Sequence, residues 1–272
     1  MSRVFHLCLL YLFLMCSCIR EDRSVCPCFL HVDMTDLDTT AIRRMDMMLF
    51  EDGTFSGTHT AEPAVFDEEF IIPVSRNELQ LCAWGNLESS QLDVTHQTIH
   101  LPGGRDSVWF FRQIVRTNCE DAYIKIAPER QFKPVIILLR GRISDISGVN
   151  TLITGIDNTF SFGGDVPAGN SGQLVPQLVK SPSSGEEYYQ FQTLITRQAE
   201  AANAMLRLEF ISDGELRTGE YEIGRMLLEA GEDLTESGGR PIVIDIVLGS
   251  SSAFISISTD GWVRHDTFEI TL

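Results

Sequence analysis

Chemistry enters this sequence near its start, at the thiol of Cys18. Cys18 follows Ser17 in the run Leu14-Met15-Cys16-Ser17-Cys18. A small residue directly before a cysteine is what a signal peptidase that cuts ahead of a lipid-modified cysteine requires. The predicted cut falls between Ser17 and Cys18, leaving Cys18 as an N-terminus acylated with chains of the palmitate class. Cys16 is a rival thiol, but bulky Met15 precedes it. The element that must present this cysteine is a leader. Arg3 gives it a basic start, and Val4 to Met15 form an apolar run broken only by His6, too short for a permanent membrane span. The competing reading is a plain secretory leader with Cys18 left as a free thiol.

Downstream, Ile19-Arg20-Glu21-Asp22-Arg23-Ser24 is polar and charged with nothing to pack, the composition of a tether. Its basic residue followed by two acids resembles the export signal of lipoproteins in Bacteroidetes-type bacteria, which implies an outer-membrane, outward-facing location. Anchoring physics agrees. At about 0.8 kcal/mol per buried methylene, one acyl chain holds a protein marginally and two or three hold it stably.

The whole chain carries a net charge of −17, which becomes −18 once Arg3 leaves with residues 1–17. Such a surface disfavours nucleic acid and anionic headgroups as partners. Residues 18–272 exceed one typical domain and suit two, and 43% hydrophobic content is ample for packed cores. No later apolar run has the length of a membrane span; Val135 to Leu139 has the length of a strand.

Four cysteines remain beyond Cys18: Cys26, Cys28, Cys82 and Cys119. They allow three pairings, left open here. Cys26-Pro27-Cys28 has the wrong spacing for a Cys-x-x-Cys redox or zinc pair. If the segment is a strand, His31 and Asp33 lie on the opposite face from Cys28, so no metal site is expected.

Period-2 alternation dominates. Cys28, Leu30, Val32 and Met34 alternate with Phe29, His31 and Asp33. Met45, Met47 and Leu49 lead into Glu51-Asp52-Gly53-Thr54, an Asp-Gly hairpin turn. Phe66 to Val74 reads as a strand whose Pro73 puts it near an edge or an end. Leu79, Leu81 and Ala83 alternate with Gln80, Cys82 and Trp84 before Gly85-Asn86, and Ser107 to Phe111 and Tyr123 to Ile126 add short strands. Beyond the polar, proline-flanked stretch 128–134, strands are predicted at Val135 to Ile143, Thr151 to Phe162, Leu174 to Val179, Tyr188 to Thr196, Met205 to Ile211, Ile242 to Leu248, Phe254 to Ser258 and Trp262 to Thr271. One helix is expected on the face Tyr221, Ile223, Met226, Leu227 and Ala230, stopped by Gly231. Short strands with regular turn signals point to β-sandwiches. Trp84 and Trp109, inside alternating strands, read as core packing ahead of a sugar platform.

No catalytic constellation emerges. The histidines are scattered, there is no Gly-x-Ser-x-Gly elbow or His-Glu-x-x-His helix, and Ser107 after Asp106 or Glu68-Glu69 read as solvated turn or strand-face residues. Asp52 and Asp233 lie in no complete calcium loop. The expectation is a non-enzyme with no cofactor, no metal and no small-molecule substrate.

Leu49-Phe50-Glu51-Asp52-Gly53-Thr54-Phe55 followed by Glu78 to Asn86 resembles the N-terminal domain of FimB-type fimbrial anchor subunits of Bacteroidetes. Thr154-Gly155-Ile156, Phe160-Ser161-Phe162 and the closing Ile255 to Trp262 are similar to that family's C-terminal domain. The resemblance implies an all-β chain of two tandem transthyretin-like β-sandwich domains after a lipoprotein signal peptide. The chain divides into a signal peptide at 1–17, a lipidated tether at 18–27, an N-terminal sandwich at 28–130 and a C-terminal sandwich at 131–272, with the boundary placed at the polar, proline-flanked stretch 128–134. The resemblance further implies an outer-membrane lipoprotein at the base of a fimbrium, with shaft subunits as partners joined by donor-strand addition. Trp262 to Leu272 reads as the last strand of its own domain, so the chain is expected to accept a strand, near Cys28 to Met34, and not to donate one. The alternatives are a surface glycan-binding lipoprotein with Trp84, Trp109 or Trp262 as platforms, and a shaft or tip (adhesin) subunit.

Overall fold

The computed structural model describes residues 26–101, 107–141, 143, 146–169, 172–249, 253–259 and 262–266. The first half contributes β1 (Cys28–Asp33), β2 (Met45–Glu51), β3 (Thr54–Ala61), β4 (Phe70–Val74), β5 (Glu78–Gly85), β6 (Leu92–Asp93), β7 (Thr98–His100), β8 (Trp109–Arg116), β9 (Asp121–Lys125) and β10 (Glu129–Arg130). Three of these form a sheet ordered β4-β1-β9, and five form a second ordered β10-β8-β5-β2-β3. Their facing surfaces enclose one core, with Leu30, Val32 and Ile72 from the first sheet meeting Met45, Met47, Leu49, Leu79 and Leu81 from the second. The predicted hairpin joins β2 and β3: Asp52 and Gly53 both have positive φ, 49° and 75°, as a tight turn between twisted strands demands.

The second half runs β11 (Phe132–Gly141), β12 (Ile146–Ile156), β13 (Thr159–Ser161), β14 (Gly172–Leu174), β15 (Gln177–Lys180), β16 (Tyr189–Thr196), β17 (Met205–Ser212), β18 (Glu215–Tyr221), α1 (Ile223–Glu229), β19 (Ile242–Leu248), β20 (Ala253–Thr259) and β21 (Trp262–Asp266). A six-stranded sheet, β15-β16-β11-β19-β20-β21, faces a four-stranded one, β14-β12-β17-β18. Helix α1 adds Ile223, Met226 and Leu227 to the core between them. Gly231, at φ 84°, ends the helical path, as expected. Tyr221 belongs to β18, not to the helix, which starts two residues later. The fold is thus all-β, built of sandwiches, with one short helix among the described residues.

Three strand expectations change. Thr151 to Phe162 is two strands, because the chain leaves the four-stranded sheet after Ile156 and pairs next with β7 from the first half. Gln198 holds that departure, its Oε1 accepting from the Asp157 N–H at 2.5 Å while the Asp157 carboxylate accepts from the Ala199 N–H at 3.0 Å. Leu174 to Val179 also divides, with β14 in one sheet and β15 in the other. Pro176, which cannot donate to a ladder, lies at the switch. Phe66 follows a 3-10 turn, so that strand begins at Phe70. The stretch 128–134 is ordered backbone, with β10 paired to β8 and Gln131 and Lys133 buried.

Candidate functional site

Ser17 and Cys18, the predicted cleavage and lipidation residues, lie outside the described residues. The first described strand, β1, is central in its sheet: Leu30 lies opposite Ile72 of antiparallel β4 and Ala122 of parallel β9. The expected strand acceptor near Cys28 to Met34 therefore cannot be β1 itself, because both of its edges are already hydrogen-bonded. Among the described residues the edges of this sheet are β4 and β9. Edge strand β4 carries Pro73, as the sequence implied, and so lacks one donor. Edge strand β9 has no proline and alternates exposed Asp121, Tyr123 and Lys125 with buried Ala122 and Ile124.

The outer face of the three-stranded sheet is exposed and mixed. Tyr123 is 73% exposed, and Phe29 and Ile71 are exposed beside it. His31 ties the three strands together. Its Nδ1 lies 2.8 Å from Glu69 Oε1 and its Nε2 lies 3.1 Å from Asp121 Oδ1, and its ring stacks on Tyr123 at 4.6 Å between centroids. The Asp121 hydrogen bond raises the His31 pKa above the ordinary imidazole value, with Glu69 adding to it. A cavity of about 570 Å³ opens here, lined by His31, Tyr123, Lys125 and the carboxylates of Asp33, Asp67 and Glu69. No cluster of metal-ligating side chains occurs among the described residues.

The tryptophans separate. Trp84 is fully buried in a core that joins the two halves of the chain. Strands β2 and β5 have both faces covered: Met47 and Leu81 look into the first sandwich, while Met48, Phe50, Cys82 and Trp84 look outward and are covered by Phe160 and Phe162. The main chain continues the join, since β13 pairs antiparallel with β7 as Phe160 lies opposite Ile99. Gly164 turns this loop at φ 92°, and a Cβ there would strike the Phe110 ring. Arg197 clamps the loop, donating to the Gly164 carbonyl and, at 2.8 Å, to Gln131 Oε1. Arg112 donates to the Gly163 carbonyl at 3.1 Å. Trp84 is therefore core, as expected. Trp109, at the start of β8, is partly buried: it packs against the first-sandwich core, as expected, and also borders a cavity. Trp262 begins β21, opposite Thr259 of β20.

The four cysteines are free thiols, Cys28 and Cys82 buried, Cys26 and Cys119 exposed. Burial first, and the neighbouring Cys119 second, raise the Cys28 pKa. Burial raises that of Cys82.

No family model matches the sequence, and no curated protein matches it either. Solved structures do. The fimbrial anchor protein Mfa2 from Porphyromonas gingivalis superposes with a TM-score of 0.64 at 14% identity, covering 89% of this chain and 100% of that one. A candidate polysaccharide-binding protein from Bacteroides thetaiotaomicron gives 0.62 at 13% identity, covering 88% and 98%. A candidate adhesin from Bacteroides ovatus gives 0.60 at 13%, covering 91% and 97%. Over nearly the whole of each chain, this protein has the fold found in that fimbrial anchor protein, the candidate polysaccharide-binding protein and the candidate adhesin.

Proposed function

We propose that this protein is a lipid-anchored, non-enzymatic base subunit of a surface fimbrium, tethered through Cys18 to the outer membrane and limiting shaft growth. The observation that carries the reading is the agreement in fold with a fimbrial anchor over the full length of that anchor, at a TM-score of 0.64. The leader ending at Ser17-Cys18 supports it from the sequence. The shaft subunit docks by adding a strand to the β9 edge, which pairs with no second strand among the described residues; its main-chain groups supply affinity and the alternation around Ala122 and Ile124 supplies register. The β4 edge serves less well because Pro73 removes a donor.

Metabolic labelling with a clickable fatty acid, on wild type and Cys18→Ala, tests the anchor directly when combined with surface immunoblotting and electron microscopy. The expected result is loss of label with fimbriae shed or altered in length. Label lost while cells keep normal, attached fimbriae overturns the anchor role.

A further inference from the structure

The chain carries 38 acidic against 21 basic residues, yet one cavity reverses that sign. It has a volume of about 600 Å³ and opens where the bend before β2, the end of β5 and the β8–β10–β11 corner meet. Its walls include Arg43, Arg44, Arg130, Trp109 and Phe132, and among the described residues no Asp or Glu lines it. Arg44 is committed to the fully buried Asp46 by two bonds, Nε to Oδ2 at 2.9 Å and Nη2 to Oδ1 at 2.8 Å. Arg43 and Arg130 are exposed, and among the described residues neither has a carboxylate partner. Two guanidinium groups on one cavity, with no carboxylate partner among the described residues, give a local positive potential for an anion to satisfy.

The walls are held in place. Arg130 lies opposite Trp109 across the β10–β8 pairing, and its guanidinium carbon is 5.4 Å from the indole centroid. Phe132 meets the same indole edge-on, 6.4 Å between centroids at 81°. Asn86, at φ 66°, fixes the rim: its Oδ1 accepts from the Arg43 N–H at 2.8 Å, and its Nδ2 donates to the Ala41 and Ser107 carbonyls at 2.7 and 3.0 Å. Guanidinium forks match the two oxygens of a carboxylate, and aromatic faces offer the flat apolar surface that a pyranose ring covers. The volume lies within the range of small-ligand sites.

We propose that this cavity binds the carboxylate of an acidic saccharide of the uronic-acid type, held by Arg43 and Arg130 with a sugar ring against Trp109. An acidic peptide fits less well, because strand addition needs a run of free main chain and β10 offers only two residues. The proposal stands independently of the fimbrial reading.

The test is calorimetric titration of the full chain with digalacturonate, its carboxyl-reduced neutral counterpart, and a triglutamate peptide. Wild type, Arg43→Gln, Arg130→Gln and, as a control outside the cavity, Arg116→Gln are compared. The expected result is digalacturonate binding that weakens with salt and is at least about tenfold weaker for the neutral sugar, for Arg43→Gln and for Arg130→Gln, as loss of a charge-assisted pair implies. Arg116→Gln should bind as wild type, and the thermal melts of Arg43→Gln and Arg116→Gln should coincide with wild type because those side chains are exposed and make no ring contact. The site is refuted by absent digalacturonate binding, by equal affinity for the neutral sugar, by an equal loss in Arg116→Gln, or by triglutamate binding in place of the saccharide.

Discussion

The indole N–H of Trp84, in the first half of the chain, donates to the carbonyl of Phe162, in the second, at 3.0 Å inside a fully buried core. Around this bond Phe160 meets the indole edge-on at 5.3 Å and Phe110 tilts against it at 4.5 Å. Asp46, cross-strand from Trp84, holds Arg44 and accepts from Thr60 at 2.6 Å, so the polar groups beneath the seam are satisfied. The two sandwiches are thereby packed as one unit, with main chain, aromatics and an ion pair all crossing or bracing the join.

Weakening the seam should destabilise the whole chain. Phe160→Ala removes a fully buried ring and is expected to cost about 3–5 kcal/mol. Trp84→Phe leaves the Phe162 carbonyl without its donor, at a cost of about 1–3 kcal/mol. Denaturant unfolding followed separately by near-ultraviolet and far-ultraviolet signals measures both. Unchanged midpoints would show the seam to be energetically idle.

The His31 clamp makes stability depend on pH. Hydrogen bonds to Asp121 and then Glu69 raise its folded pKa, so the protonated ring is favoured by folding. Its contribution is full below the ordinary imidazole value and fades as pH rises through the raised one. The melting-temperature gap between wild type and His31→Gln should shrink from about pH 5.5 to about pH 8.5, a window spanning the ordinary imidazole pKa. A gap that stays constant or widens contradicts the clamp.

Thiol reactivity should divide two and two. Iodoacetamide is expected to modify exposed Cys26 and Cys119 in the folded protein and to reach Cys28 and Cys82 only after denaturation, because burial both shields them and suppresses the thiolate. Mass spectrometry of peptides before and after guanidinium treatment reads this out. Equal labelling of Cys82 in the folded state would place it at the surface.

Tyr221 carries an avoidable cost. Among the described residues its buried hydroxyl has no hydrogen-bond partner, and burial pushes its pKa up to about 12. A Cβ on Gly219 would meet that hydroxyl at 2.6 Å. Tyr221→Phe should therefore stabilise the chain, by about 1 kcal/mol, since deleting an unsatisfied buried group removes its desolvation penalty. Scanning calorimetry should show a raised melting temperature; a lowered one would reveal a partner for the hydroxyl.

Local chemistry was legible from residues alone wherever one dipeptide or one period sufficed. Asp52-Gly53 dictated a tight turn, Pro73 put its strand near an edge or an end, Gly231 ended a helix, and period-2 runs marked most strands with one inward face. Those are properties of neighbours along the chain. Tertiary structure alone decided which strand lies beside which, and what covers the other face. Cys28 to Asp33 gives no sign that β4 and β9 will close both its edges. Trp84 and Trp109 sit in similar alternating runs, yet Phe160 and Phe162, almost eighty residues downstream, bury one while the other is left on a basic cavity. Alternation encodes that a strand has two faces; only the long-range packing of the second sandwich on the first determines which of those faces meets water.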